Sequence, residues 1–279
     1  MEIRGAAFRY GAREIFSGID LDVFRGELLS VLGPNGCGKS TLLRCIGGAL
    51  TLHAGTVRLD KIDISSLDPG ARARRIGFLF QNHTPTFPFL VLEVVSMGRA
   101  PHLGLFGVPS SKDIALAEQA LDRVGILHLK DRPYTEVSGG ERQLVLLART
   151  LAQQPDVILL DEPMSHLDLR NQVRSLKAIG ELAAQGVTMI MTTHDPNHAL
   201  QFPGRAVMMK PGGTVVTGLA SEVITDAELT STYGIDIAVV RAPRPNGHGD
   251  IKLCSPWCGA QAAAPRNPRR KARLCRKTG

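Results

Sequence analysis

Apolar and polar residues alternate in short runs at the start of the chain, and turn residues separate these runs. A period of two residues is typical of strands that bury one face. A later run at 157–160 is apolar throughout, and 188–192 is predicted to be another buried strand. Such runs are typical of strands that are buried on both faces of a parallel sheet. Further strands are predicted at 3–10, 15–24, 27–32, 55–59 and 76–80, with a terminal hairpin at 205–217.

Helical segments separate the strands along most of the chain. They are predicted at 40–48, 91–97, 114–124, 141–153, 174–185 and 222–233. Strands and helices that alternate in this way indicate an α/β fold. Residues 82–136 interrupt the alternation with Pro-rich turns and a strong helical period. We therefore expect a helical lobe, at about 82–155, that is inserted into the α/β domain.

A glycine-rich loop follows the predicted strand at 27–32 and precedes a predicted helix. Its sequence, GPNGCGKS at 33–40, fits the pattern G-x-x-x-x-G-K-[ST]. Glycines let the backbone wrap around phosphate oxygens, and the N-terminus of the following helix attracts the anion. Lys39 would place a charge on the β and γ phosphates, and Ser40 would offer a hydroxyl to Mg²⁺. A chance match of the four fixed positions is expected in roughly one chain in a hundred.

Two carboxylates, Asp161 and Glu162, follow the apolar run at 157–160. The carboxyl ends of strands face the crevice in which ligands bind in open α/β sheets. We expect Asp161 to hold Mg²⁺, directly or through water, and Glu162 to polarise the attacking water. A solvated pair of charges at a strand end is the alternative, and the phosphate loop makes it the minor one.

A further anion site is predicted at Ser138, Gly139 and Gly140, directly before the helix at 141–153. A hydroxyl and backbone N–H groups gather at such a helix N-terminus. An ordinary N-cap on Ser138 explains the same residues and is structurally sufficient on its own.

Taken together, these motifs resemble those of the ATP-binding cassette (ABC) ATPases. GPNGCGKST at 33–41 is similar to their Walker A motif, VSGGERQ at 137–143 to their signature motif, and VILLDEP at 157–163 to their Walker B motif with its catalytic glutamate. The resemblance covers residues 1–240 in order. It includes an aromatic residue that stacks on adenine, the Q-loop, the D-loop and the switch histidine, which are Tyr10, Gln81, Asp168 and His194. Mild departures from the commoner Leu, Gln and Thr are Val137, Glu141 and Met164.

The resemblance implies a fold and a mechanism. The fold is a P-loop NTPase core with an N-terminal antiparallel β-subdomain and an inserted α-helical subdomain. Two copies pair head to tail, and each ATP lies between the Walker A loop of one copy and the signature motif of the other. The implied catalytic residues are Glu162, His194 and Gln81, and the implied Mg²⁺ ligands are Ser40, Gln81 and Asp161. The implied ATP contacts are Tyr10, Gly33, Pro34, Asn35, Gly36, Cys37, Gly38, Lys39, Ser40, Thr41, Ser138, Gly139, Gly140 and Asp168.

The segment LEVVSMGRAPH at 92–102 is similar to the ATPases of importers for iron–siderophores, haem, cobalamin and related metal chelates. This likeness implies that residues 82–105 contact a polytopic permease. An outer substrate-binding protein would deliver the substrate to that permease. The chain would then lie at the cytoplasmic face of the inner membrane. Iron–siderophore is the first expected substrate, and haem, cobalamin and molybdate stay open.

The alternative function is an ABC ATPase without transport, which acts on nucleic acid or in cofactor assembly. The sequence has one cassette and no long coiled-coil pattern between its motifs, so it favours transport. The net charge of +7 does not favour nucleic acid, because residues 241–279 hold 10 of the 33 basic residues and 1 of the 26 acidic ones. The tail therefore carries +9 and the rest of the chain −2.

The tail at 241–279 is rich in Pro, Gly, Arg and Ala, and we expect it to be disordered. No secretory signal and no apolar run of bilayer length is evident, so any membrane role is expected to come through a partner. The five cysteines show no disulfide framework. Whether Cys254, Cys258 and Cys275 bind a metal is left open by their spacing.

Overall fold

The computed structural model describes residues 1–80, 87–104, 107–243 and 249–256. The strands are β1 (Glu2–Tyr10), β2 (Arg13–Asp22), β3 (Leu28–Leu32), β4 (Ala54–Leu59), β5 (Ile62–Asp63), β6 (Ile76–Leu79), β7 (Val157–Leu160), β8 (Met189–Thr193), β9 (Arg205–Met209), β10 (Val215–Leu219), β11 (Ile237–Pro243) and β12 (Asp250–Pro256). The helices are α1 (Lys39–Ile46), α2 (Pro69–Arg75), α3 (Val91–Ser96), α4 (Ser111–Arg123), α5 (Gly139–Ala152), α6 (Leu169–Ala184), α7 (Pro196–Leu200), α8 (Ala220–Val223) and α9 (Asp226–Tyr233).

A six-stranded sheet with the order β10–β9–β3–β8–β7–β6 forms the centre of the fold. Its strands run parallel except β10, which pairs with β9 as the predicted antiparallel hairpin. Every residue of β3, β7 and β8 is buried, which explains why apolar residues dominate these strands and why β7 is apolar throughout. The parallel direction brings the carboxyl ends of these three strands to one edge, and that edge positions the site.

A second sheet, with the order β2–β1–β4–β5, is antiparallel at each pairing and forms the predicted N-terminal β-subdomain. It shares one apolar core with α1 and the central sheet. Phe16 and Ile19 of β2 belong to this core, together with Leu42 and Leu43 of α1. The first helix after the glycine-rich loop is therefore clamped between two sheets.

The helical lobe consists of α3, α4 and α5, which pack on one another over a second core that reaches α6 and the central sheet. All three helices were predicted. α2 and α7 were not, because their 7 and 5 residues are too few to show a helical period, although an Asp cap and a proline mark the start of each. No helix in the described ranges is long and apolar enough to cross a membrane.

Two predicted helices differ from the helices in the structure. The helix expected at 174–185 begins at Leu169, because the Asp168 side chain caps it by accepting from the N–H of Asn171 at 2.8 Å. The helix expected at 222–233 is two helices, because the chain leaves the helical conformation at Ile224 and Thr225 caps α9.

The expectation that folded structure ends at residue 240 is wrong for the described part of the tail. β11 continues to Pro243 and pairs in antiparallel register with β12. Ile237 and Cys254 are each 8% exposed and join the apolar core beneath α7, α8 and α9. The two strands are short, and the Pro, Gly and Arg residues around them obscure the alternation of apolar and polar residues that would predict strands. Residues 257–279, with Cys258 and Cys275, lie outside the described residues.

A buried ion pair within the helical lobe joins the segment after α3 to α4 and to the end of α5. The Arg99 guanidinium donates to Asp113 at 2.9 Å and to the carbonyl oxygen of Ala152 at 2.8 Å. Asp113 also accepts a hydrogen bond from the hydroxyl of Ser110 at 2.6 Å. Ser110 is the N-cap of α4. The hydrogen bonds from Ser110 and Arg99 lower the pKa of Asp113 from 3.8 to about 2.

We predict that Asp113→Asn weakens the acid sensitivity of folding. A lowered pKa in the folded chain means that Asp113 stabilises it above its unfolded pKa. This contribution is lost as the pH falls from about 4 to about 2. Urea unfolding across this range should show a smaller loss of unfolding free energy for Asp113→Asn than for the wild type. The exposed Asp122→Asn on the same helix should behave like the wild type, and an equal loss in all three proteins would contradict the prediction.

Candidate functional site

The loop at 33–38 joins β3 to α1, and its glycines occupy positions that no other residue fits. Gly38 has φ of 107°, and a Cβ there would press against Ile15 and Met209. A Cβ at Gly33 would collide with the carbonyl oxygen of Met209. The loop is therefore pressed against β2 and β9 by contacts that only glycine allows. Gly38 also begins α1 without a side-chain cap, so the first N–H groups of α1 receive no side-chain acceptor.

Lys39 points back into this loop. Its ammonium donates to the carbonyl oxygens of Gly33 at 2.9 Å and Pro34 at 3.0 Å, and it lies 3.5 Å from Glu162 Oε1. The residue is only 4% exposed. A buried ammonium needs such partners, because unpaired burial of a charge is costly. The predicted phosphate-binding lysine thus lies inside the curve of the loop.

The hydroxyl groups of Ser40 and Thr192 both donate to Asp161 Oδ1, at 2.7 and 2.8 Å. Asp161 follows β7 and is 1% exposed, Ser40 lies in the first turn of α1, and Thr192 lies in β8. Thr192 Oγ1 also accepts from the backbone N–H of Glu162 at 2.9 Å. One carboxylate therefore joins three neighbouring elements at the carboxyl edge of the sheet.

Glu162 and His194 meet beside this carboxylate. His194 Nδ1 lies 3.2 Å from Glu162 Oε2, and the Glu162 side chain is 12% exposed. Glu162 has φ of 46°, a left-handed conformation that costs about 1–3 kcal/mol in a residue with a Cβ. Such strain is concentrated at functional sites. Both residues line a cleft of about 340 Å³ that Asn35 of the loop also borders.

The oxygen donors at this edge fit Mg²⁺. Ser40 and Asp161 offer a hydroxyl and a carboxylate, and Mg²⁺ usually takes one or two protein oxygens with water and phosphate completing its shell. Within the described ranges, no group of three or more His, Cys, Asp and Glu residues could hold a metal ion by itself. The donor set therefore suits a metal that arrives with a phosphate rather than a structural zinc.

A second cleft, of about 180 Å³, lies on the other side of the loop and is bordered by Arg13 and Glu14. Tyr10 is close in sequence, at the end of β1, where it pairs with Arg13 in the register. Its ring is 49% exposed and rests edge-on against Phe8, with 4.8 Å between ring centroids. An exposed ring at this position is available for stacking.

Ser138, Gly139 and Gly140 border neither cleft. Ser138 caps α5, and its hydroxyl donates to Glu141 Oε2 at 2.8 Å. The hydrogen bonds from Ser138 lower the pKa of Glu141. Gly140 lies so close to Asn171 of α6 that a Cβ would collide with it.

Three further predicted site residues are Cys37, Asp168 and Gln81. Burial raises the pKa of the Cys37 thiol, which packs beneath the loop. Asp168 is occupied as the cap of α6. Gln81 lies outside the described residues.

The sequence prediction missed Thr192, which bonds Asp161 and Glu162, and Arg13, which borders the second cleft. Both lie at the site only because the fold brings distant segments together. The sequence signal for Thr192 is no more than a hydroxyl residue near the end of a mostly apolar strand.

The chain is similar to proteins of known family. The family model described as ABC transporter matches residues 16–165. The iron(3+)-hydroxamate import ATP-binding protein FhuC of Bacillus subtilis is 36% identical over 85% of this chain and 88% of its own. The hemin import ATP-binding protein HmuV of Rhodococcus jostii is 37% identical over 86% of this chain and 81% of its own. A solved metal-chelate type ABC transporter in an inward-facing conformation matches with a TM-score of 0.81 and 33% identity, over 92% of this chain and 96% of that one.

We predict that Thr192→Val destabilises the fold by about 1–3 kcal/mol, because the buried N–H of Glu162 loses its acceptor and Asp161 loses a donor. Thr192→Ser keeps the hydroxyl and is the matched control. Urea unfolding of the two variants measures the difference. Equal unfolding free energies for the Val and Ser variants would show that the hydroxyl does not hold the two carboxylate residues in place.

Proposed function

This chain belongs to the ABC transporter family and is an ATPase, and on that premise we propose that it powers the import of a metal chelate through a membrane permease. The proposal is carried by the relatives, since two import ATP-binding proteins match more than four fifths of this chain. Their names specify iron(3+)-hydroxamate and hemin. Iron–siderophore is the first proposed substrate; haem, cobalamin and molybdate are the others.

The geometry supports a division of roles in ATP hydrolysis. Lys39 binds the phosphates at the loop, and Glu162 takes the role of the base that polarises the attacking water. His194 orients that water and the γ-phosphate, in keeping with its 3.2 Å distance from Glu162. Ser40 and Asp161 hold Mg²⁺, which supplies neutralising charge to the phosphate oxygens when bound. We further propose that Gln81 contributes to this metal site and that Tyr10 stacks on the adenine.

A second copy of the chain completes the site in this proposal. Ser138 and Gly140 border neither cleft beside their own loop, which agrees with a role at the phosphate of a partner copy. The Ser138 hydroxyl would then leave Glu141, its present acceptor, when it reaches that phosphate. Asp168, at the start of α6, would link the two sites. ATP closes the pair and hydrolysis reopens it, as a population shift driven by nucleotide.

The proposed permease contact includes exposed apolar side chains that precede and follow residues 81–86 in the chain. Phe80, Phe87 and Phe89 are 48%, 62% and 44% exposed, and Met97 is 45% exposed. Exposed apolar patches of this kind mark interaction surfaces. They fall within or next to residues 82–105, where the permease was expected. Docking there would hold the chain at the cytoplasmic face of the membrane.

We predict that Glu162→Gln lowers ATP turnover by about 100-fold or more, because the variant loses the base but keeps Lys39, Ser40 and Asp161 for binding. The variant should still bind ATP and form a dimer with it, which size-exclusion chromatography detects. Glu181→Gln, at an exposed position on α6, is the matched control and should turn over like the wild type. Wild-type turnover by Glu162→Gln would remove Glu162 from its proposed role.

The transport proposal is tested by uptake. Cells that lack this chain should lose uptake of radiolabelled iron–siderophore, and the wild-type chain, but not Glu162→Gln, should restore it. Labelled haem, cobalamin and molybdate are measured in parallel. If uptake of all four compounds is unchanged in the deletion strain, the proposed substrate class is wrong, whatever the ATPase result.

A further inference from the structure

The C-terminal part of the chain holds the loop that carries His194. We call α9, β11 and β12 together the C-terminal brace. The Tyr233 hydroxyl, at the end of α9, donates to the backbone carbonyl oxygen of His194 at 2.9 Å. Asn197 lies three residues after His194. Its side chain makes two hydrogen bonds with the backbone of Cys254 in β12, at 2.8 and 3.1 Å. The brace thus grips the chain at both ends of the turn from His194 to Asn197.

These contacts matter because little else fixes the His194 ring. The side chain is 49% exposed, so packing restrains it weakly, and its ring nitrogen lies 3.2 Å from Glu162. The position of an exposed ring is set largely by its backbone. Displacement of a catalytic group by about 1 Å can cost on the order of 100-fold in rate. The His194 carbonyl is therefore a point at which a distant residue can influence the reaction.

The brace is itself well anchored. Leu229 and Thr232 of α9 are 0% and 2% exposed, and Gly234 ends the helix directly after Tyr233 with φ of 69°. The N–H of Val239 in β11 donates to Asp226 of α9 at 2.8 Å. Burial raises the pKa of the Tyr233 phenol, so the hydroxyl keeps its proton and remains a donor at neutral pH.

We propose that Tyr233 is a positioning residue for ATP hydrolysis, which acts by holding the backbone of His194 so that its ring stays beside Glu162. The inference rests on the proposed roles of His194 and Glu162. It extends the working part of the ATPase from His194 into the C-terminal brace. Asn197 supports the same turn from its other end.

The test compares Tyr233→Phe with the wild type in the full-length chain. The change removes one hydroxyl and leaves the ring, so the melting temperature should be nearly unchanged. We expect kcat to fall about tenfold, which corresponds to about 1.4 kcal/mol of activation free energy. The dissociation constant for ATP should be unchanged, because Lys39 keeps its partners. Ser231→Ala, which removes an exposed hydroxyl from the same helix, is the matched control and should not alter kcat.

A double-mutant comparison shows whether Tyr233 acts through His194. His194→Ala alone should lower kcat, and adding Tyr233→Phe to it should lower kcat no further. If Tyr233→Phe lowers kcat equally in both backgrounds, or lowers it in neither, the positioning role is overturned while the proposed role of His194 stands. If His194→Ala itself leaves kcat unchanged, the proposed role of His194 falls, and this inference falls with it.

Discussion

A single buried carboxylate, that of Asp161, organises the edge of the sheet. It is 1% exposed, and a buried carboxylate must be satisfied by donors or metal. Ser40 and Thr192 supply the donors from α1 and β8, so the carboxylate fixes how the glycine-rich loop sits against two strands. The N–H of Glu162 is bound to the same threonine, so the next carboxylate along the chain is aimed by the same contact.

The parts of the site that lie close together in the chain could be predicted from the sequence. Each of these parts has a local sequence pattern, because each needs particular residues at a fixed short spacing. They are the glycine-rich loop, the pair Asp161 and Glu162, and the buried strands. Thr192, Tyr233 and Asn197 could not be predicted, since their roles depend on partners that are distant in sequence and adjacent only in the fold. Likewise the terminal hairpin at 205–217 and the parallel sheet were expected from local patterns, while the order of the strands was not.

The tail illustrates a different limit. Composition suggested disorder beyond residue 240, yet β11 and β12 pair along their whole length and place Cys254 against α7. Composition averages over a segment, whereas a two-stranded hairpin needs only a few apolar side chains that face an existing core. Short elements that complete another element's core are therefore easily missed.

The polar groups of the site are already engaged within the chain. Lys39 is bound to carbonyl oxygens of its own loop, Ser40 to Asp161, and the Ser138 hydroxyl to Glu141. At these groups a nucleotide therefore binds by exchange, because each contact that it makes with Lys39 or Ser40 replaces a contact within the chain. Exchange keeps the net gain in binding free energy small compared with the number of contacts formed. As ADP and phosphate leave, the contacts of Lys39 and Ser40 within the chain can form again, so the exchange that offsets part of the binding free energy also assists product release.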